Sequence, residues 1–218
     1  MDGTERDLLV RVQRAAARVK LFPLPEVALF PSHGLPLHVF EPRYRALAHD
    51  ALSGDGVVAI PRIQSAEGAT LGPVFGVGVV AEHQELADGK LNLIVRGVAR
   101  ARLVRELPLV HLYREAEVEI LKEDESGVAH EDAASLSACL LELGRRLSQD
   151  TQQALGQLAS LQREPGRLAD LSAAALLSPA ANQRVLAELN VKRRLAFVTE
   201  QVAELLLATN PTQGNLPN

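Results

Sequence analysis

Six histidines stand at positions 33, 38, 49, 83, 111 and 130, and a single cysteine at 139. A metal centre needs several such donors converging at about 2 Å from the ion. His33 and His38 have no cysteine beside them, and no H-E-x-x-H helix occurs, so their spacing assembles no ligand set and no metal is expected. Cys139 lies in "AASLSACLLELGRRLSQ" (133–149) beside Leu136, Leu140 and Leu143, with no His/Asp arrangement to draw off its proton. It is expected to be a buried structural thiol rather than a nucleophile. A phosphate cradle asks for G-x-x-x-x-G-K-[ST], whereas the Gly-Lys of this chain, Gly89-Lys90, is followed by Leu91. No ATP site and no cofactor are expected, and the chain reads as a non-enzyme.

The charged groups point elsewhere. Arg96, Arg100, Arg102 and Arg105 form a run in which Arg100 and Arg102 share a strand face and Arg105 points the other way. Nucleic-acid binding would need such a patch together with stacking aromatics. These strands have none, Glu115, Glu117 and Glu119 stand ready to balance the arginines, and the formal net charge is −4. RNA binding is therefore the runner-up reading. Glu41, Arg43 and Arg45 flank a turn; they read either as a helix cap with solvated arginines or as the charged rim of a peptide-binding face. Just before them, "LPLHVF" (35–40) alternates. Leu35, Leu37 and Val39 fall on one side and Pro36, His38 and Phe40 on the other, so one set must be core. An exposed second set would form an apolar patch of the kind that marks interaction sites.

The elements that position these groups follow from periodicity. A chain of 218 residues, 47% apolar and 23% charged, is long enough to bury its own core, and with 3% aromatics that core must be aliphatic. Residues 1–19 read as a helix with Leu8, Val12, Ala15 and Val19 on one face. Residues 20–121 carry strand signals: "VVAIP" (57–61), "PVFGVGVVAEHQEL" (73–86), "KLNLIVRGVARARLVREL" (90–107) and "AEVEI" (116–120). Asp88-Gly89 predicts a two-residue type I′ hairpin. Gly76 and Gly78 suggest a close backbone crossing, and Gly97 a bulge. Prolines 23, 25, 31, 36 and 42 forbid one long central strand at residues 21–41, while Pro42 opens a helix whose core stripe is Tyr44, Leu47, Ala48, Ala51 and Leu52. A charged linker, 122–132, precedes a helical lobe at 133–208, built from 133–149, 151–162, 167–177 and a last helix capped by Asn190; 209–218 reads as a fraying tail. The fold class is α+β. No run approaches the length of a membrane span, and the lone cysteine fits a reducing, cytoplasmic setting.

The order "FPLP" (22–25), "VALFP" (27–31) and "LPLHVFEPRYRAL" (35–47) resembles the start of the LON domain, the N-terminal substrate-binding domain of Lon proteases, found also in stand-alone bacterial proteins. The resemblance continues through 73–104, 165–177 and 189–206, covering roughly residues 20–207. It implies a small PUA-like β-barrel followed by a helical bundle, and selection of unfolded or degron-bearing polypeptides through exposed apolar surface. It also implies an ATP-dependent protease as a second partner, and it allows a weak homodimer. The polypeptide-binding residues it suggests are Leu35, Leu37, Val39, Phe40, Glu41, Arg43 and Arg45. The ATPase and Ser–Lys peptidase parts of Lon have no counterpart in these motifs.

Overall fold

Prolines dictate how the first strands form. The structure, a computed structural model, describes residues 3–64 and 70–209; the predicted tail lies almost wholly outside them. The chain divides into two units, Met1–Lys122 and Glu123–Asn218. In the first, the strands are Val19–Leu21 (β1), Gly34–Val39 (β2), Val57–Ile60 (β3), Val74–Glu85 (β4), Leu91–Glu106 (β5) and Arg114–Leu121 (β6), with helices Gly3–Ala15 (α1) and Pro42–Leu52 (α2). After β1 the chain continues beside β3: the amides of Phe22 and Leu24 donate to the carbonyls of Ala59 (2.8 Å) and Pro61 (3.0 Å). The intervening residues, Pro23 and Pro25, have no N–H to leave unpaired, so the alternation of prolines matches the alternation of the ladder.

The strand order is β2-β5-β4-β3-β1-β6, and β6 also pairs with β5. The first half of β5 pairs with β2 and its second half with β6, while β4 runs along both. Residues 25–33 then cross this sheet. Leu29 and Phe30 are fully buried, and their backbone passes so close to β4 and β5 that only glycine fits beneath. A Cβ on Gly76 would strike the Leu29 carbonyl, and one on Gly97 the Phe30 carbonyl. The crossing ends in a turn with Pro31 at its second position and Ser32 at its third (φ 63°), closed by His33 N–H donating to the Phe30 carbonyl at 3.1 Å. The close crossing that Gly76 suggested is present, and Val98 beside Gly97 is the extra residue of a β-bulge.

Three local expectations need correction. Val19 does not belong to the N-terminal helix: α1 ends at Ala15 and Val19 opens β1, paired with Ala116. Gly89 has φ 75°, whereas Asp88 does not join it in the left-handed region. Gly89 N–H donates to the Leu86 carbonyl and Leu86 N–H to the Lys90 carbonyl, both at 2.8 Å. The loop thus has three residues, a turn followed by a left-handed glycine, because Asp88 spends its carboxylate on the Lys90 amide (3.1 Å) instead of entering positive φ. Arg105 does not oppose Arg102. Leu103 pairs with Val118 and Arg105 with Glu117, so Val104 is an extra, bulged residue and Arg105 returns to the face of Arg102.

In the second unit five helices follow: His130–Gly144 (α3), Gln149–Ala159 (α4), Pro165–Leu176 (α5), Pro179–Ala187 (α6) and Val191–Ala208 (α7). Asn190 caps α7 as predicted, its side chain accepting from the Arg193 amide at 3.0 Å. Helix α6 stands where the sequence suggests only a break at Ser178-Pro179. The pair is a start signal instead: the Ser178 hydroxyl accepts from the Ala181 amide and Pro179 fills the first turn. Cys139 is half-buried rather than buried, because the stripe of α3 that faces the core is Ala133, Leu136, Ser137, Leu140 and Leu143, with Cys139 at its flank. The described residues thus form a mixed α+β fold with a six-stranded sheet and seven helices. No helix among them is long and apolar enough to cross a membrane.

Candidate functional site

The β2 strand sorts its residues as alternation demands. Leu35 and Val39 are buried and Leu37 half-buried in a cluster with Leu29, Tyr44, Leu47, Leu91, Leu93 and Val95. Pro36, His38 and Phe40 face out, Phe40 with 59% of its surface exposed. Leu35 and Val39 therefore hold the sheet together and offer no side chain to a partner. Phe40 is different: a large apolar ring left in water at the point where β2 ends and α2 begins. Its ring centroid lies 6.1 Å from that of His38, which hydrogen-bonds Asn92 through Nδ1 at 2.8 Å.

Phe40 stands at the edge of a cleft of about 250 Å³. One wall is Phe22, Pro23, Leu24, Pro25 and Ile63; the other is His38 to Glu41. Tyr44 and Arg43 close it. Phe22 stacks on Tyr44 at 4.2 Å between ring centroids, and the Tyr44 hydroxyl reaches the Pro23 carbonyl at 3.4 Å. Burial is the main cause that raises the Tyr44 pKa above the ordinary tyrosine value, so it stays a neutral donor. Arg43 lies over the Tyr44 ring, 4.5 Å from its centroid, while its Nε donates to Glu41 Oε2 at 2.9 Å. Glu41 makes no side-chain cap to α2. Its carboxylate orients Arg43 instead, so the charged rim and the aromatic floor are one assembly. Arg45 leaves this group and reaches the β4–β5 turn, where a Cβ on Gly89 would meet its guanidinium. Of the seven residues suggested by the sequence, Phe40, Glu41 and Arg43 thus converge on the cleft, Val39 lines it from the core side, and Leu35, Leu37 and Arg45 lie outside it.

The strand arginines do not gather into a patch. Arg100 is buried, Arg102 pairs with Glu119 at 2.9 Å, and Arg105 pairs with Glu117 at 2.7 Å. The sequence reasoning missed a second apolar surface. Between β5 and β6, Leu109, Val110 and Leu112 are each about 70% exposed. Its signal was the run "LPLVHLY" (107–113) between two charged strands. Tyr113 anchors the base of this tip: buried itself, it stacks on His111 and donates its hydroxyl to Asp50 Oδ2 at 2.6 Å. Burial, then the Asp50 carboxylate, push its pKa well above the ordinary tyrosine range. Tyr113→Phe is expected to lower stability by about 1.5 kcal/mol, the worth of a hydrogen bond to a charged acceptor, read from urea unfolding. An unchanged midpoint would mean that water replaces the contact.

The geometry is that of a mixed α+β fold with an aromatic and apolar cleft beside a proline-shaped strand edge. Residues 18–204 match the model of the ATP-dependent protease La (LON) substrate-binding domain. The chain belongs to that family. A Lon protease of Anaeromyxobacter dehalogenans is 30% identical over 205 residues, which are 88% of this chain and 24% of that protein. Lon protease 2 of Syntrophobacter fumaroxidans is 31% identical over 140 residues, 62% of this chain and 18% of that protein. The chain therefore spans about a quarter or less of the length of these relatives. Among solved structures, the Lon N-terminal domain protein from Xanthomonas campestris aligns with a TM-score of 0.60 at 26% identity, covering 89% of this chain and 99% of that one. The N-terminal domain of the Mycobacterium avium complex Lon protease aligns with a TM-score of 0.67 at 18% identity, covering 86% and 98%; at that identity the likeness speaks for the fold alone.

Proposed function

We propose that this protein is a non-catalytic polypeptide-recognition domain whose β strands form a small PUA-like barrel and whose cleft at Phe40 receives apolar side chains of unfolded or degron-bearing chains. The observation that carries the reading is the exposed Phe40 ring above the stacked Phe22–Tyr44 floor, within a domain of the LON substrate-binding family. A cleft of about 250 Å³ is below the range of cofactor-sized pockets and suits one or two side chains. The exposed tip at Leu109, Val110 and Leu112 supplies a second apolar contact. Ordering a flexible segment costs about 2–5 kcal/mol, which leaves affinities in the micromolar range. Such binding suits an adaptor in the cytoplasm that hands substrates to an ATP-dependent protease, where weak self-association would add avidity.

Fluorescence anisotropy with a labelled, chemically unfolded model protein and with its native form tests the reading. The unfolded chain is expected to bind and the native one not. Phe40→Asp is expected to weaken binding at least about tenfold, the effect of 1.4 kcal/mol, with an unchanged melting temperature because the ring is mostly in water. Equal binding by wild type and Phe40→Asp would remove the cleft from the recognition surface.

A further inference from the structure

The backbone of β2 says more about the ligand than the side chains do. β2 is the terminal strand of the sheet order, paired on one side only, with β5. Gly97 N–H donates to the His33 carbonyl at 2.8 Å, just before the first paired residues, Gly34 and Arg96. In an antiparallel ladder, residues whose main-chain groups face the partner alternate with residues whose groups face away. Counting from His33, the groups of Leu35, Leu37 and Val39 face β5. Those of Gly34, Pro36 and His38 therefore face the open side. All three are exposed residues, and among the described residues none has a main-chain hydrogen bond outside the β2–β5 ladder. Proline at position 36 fits this parity, since its missing N–H falls on the open edge.

Two clefts meet at this edge, and His38 lines both. One is the cleft of about 250 Å³ under Phe40; the other, of about 420 Å³, lies on the outer face of the sheet between Pro36, His38, Glu82, His83, Asn92 and Ile94. Both clefts border the β2 edge, so the side chains of a strand laid along it would have a lined cleft within reach at Pro36–His38 and at Phe40.

Building on the polypeptide-recognition reading, we infer that the ligand is held by β-strand addition to β2. A segment of a non-native chain, in extended conformation, exchanges two main-chain hydrogen bonds with His38 and donates a further one to the Pro36 carbonyl. An apolar side chain of that segment enters the cleft beside Phe40. A second folded copy of this chain is a poor occupant. Six residues at about 3.3 Å each make an edge of roughly 20 Å, and a strip about 10 Å deep covers roughly 200 Å². That is far below the roughly 800 Å² per partner of a stable assembly. Pro36 also interrupts the donor row, which limits growth of the sheet while leaving room for one short strand.

The test uses the full chain and a fluorescein-labelled peptide, Lys-Thr-Val-Thr-Phe-Thr-Val-Thr-Lys, with N-methyl groups placed on successive amides. Binding is expected to fall at least about tenfold when alternate amides are methylated, and to change less than about twofold at the amides between them. In the complex, amide exchange at His38 is expected to slow, while Leu37 and Val39, already paired, stay as they were. If the peptide binds but methylation acts equally in both phases and His38 exchange is unchanged, strand addition is overturned and the recognition reading stands. If the unfolded model protein binds and this peptide does not, strand addition is again overturned. Failure of both to bind removes the recognition reading as well. A dimer that the peptide dissociates, seen by sedimentation, would give the edge to a second copy and overturn the inference.

Discussion

Gly97→Val is expected to abolish cooperative folding of the unit Met1–Lys122. A Cβ at this position would collide with the carbonyl oxygen of Phe30, stand 2.8 Å from its carbonyl carbon and lie 3.2 Å from Leu29 Cγ. The obstacle is backbone, which cannot rotate away as a side chain would. Nor can the crossing segment lift. Ser32 N–H donates to the Gly97 carbonyl at 2.9 Å and Gly97 N–H to the His33 carbonyl at 2.8 Å, while Leu29 and Phe30 are both fully buried. Displacing the segment would expose those two side chains and break both hydrogen bonds. The loss is expected to exceed about 4 kcal/mol, set against a typical total of about 5–15 kcal/mol. Gly76→Val is expected to behave alike, because its Cβ meets the Leu29 carbonyl. Gly156→Ala in α4 is the control: nothing lies within 4 Å of its Cβ, and alanine there is expected to gain up to about 1 kcal/mol of helix propensity. Thermal unfolding followed by circular dichroism reads all three. A Gly97→Val protein that melts within a few degrees of the wild type would mean that the 25–33 crossing is not packed as described.

These glycines also show where the sequence could be read and where it could not. A glycine pair inside a strand pattern announces that something approaches closely, but not which segment; that depends on the pairing of strands distant in the chain. The strand and helix segments of long periodicity were legible, and so was the α2 stripe, since Tyr44, Leu47, Ala48 and Ala51 are all buried. Local competition defeated the finer reading. Asp88 chose a side-chain bond to the Lys90 amide over positive φ, and Val104 slipped into a bulge that reversed the face of Arg105. At the site, alternation separated Phe40 from Leu35 and Val39 but could not say which set faced water. The stack of Phe22 on Tyr44 joins residues 22 positions apart, a pairing that no local period encodes.

Arg194→Leu is expected to destabilise the helical unit by about 3–5 kcal/mol, the usual result of removing one partner from a buried ion pair. The residue occupies the core stripe of α7, with Val191, Leu195, Val198 and Val202, and its side chain is fully buried. Its guanidinium donates to the Glu123 carboxylate at 2.7 Å and to the Glu188 carbonyl at 3.1 Å, and its Nε forms an ion pair with Asp170 Oδ1 on α5 at 3.1 Å. Gly166 makes the room, since a Cβ there would stand 2.9 Å from the guanidinium and 3.0 Å from the Glu123 carboxylate. One planar group thereby ties α5, α7 and the segment before α3 together. Leucine restores apolar volume but takes the cation away from Asp170, whose side chain is 2% exposed, so that buried carboxylate loses an opposite charge. Arg194→Lys keeps the charge and loses the fork, so it is expected to fall between the two because an ammonium on a flexible stem cannot serve three diverging partners equally. The double variant Arg194→Leu/Asp170→Leu removes both buried charges and is expected to recover much of the loss. Urea unfolding of these variants and the wild type, with Asp170→Leu alone completing the cycle, measures the coupling directly. If the double variant is as unstable as the sum of its single changes, the pair is not coupled and the triad contributes through packing alone.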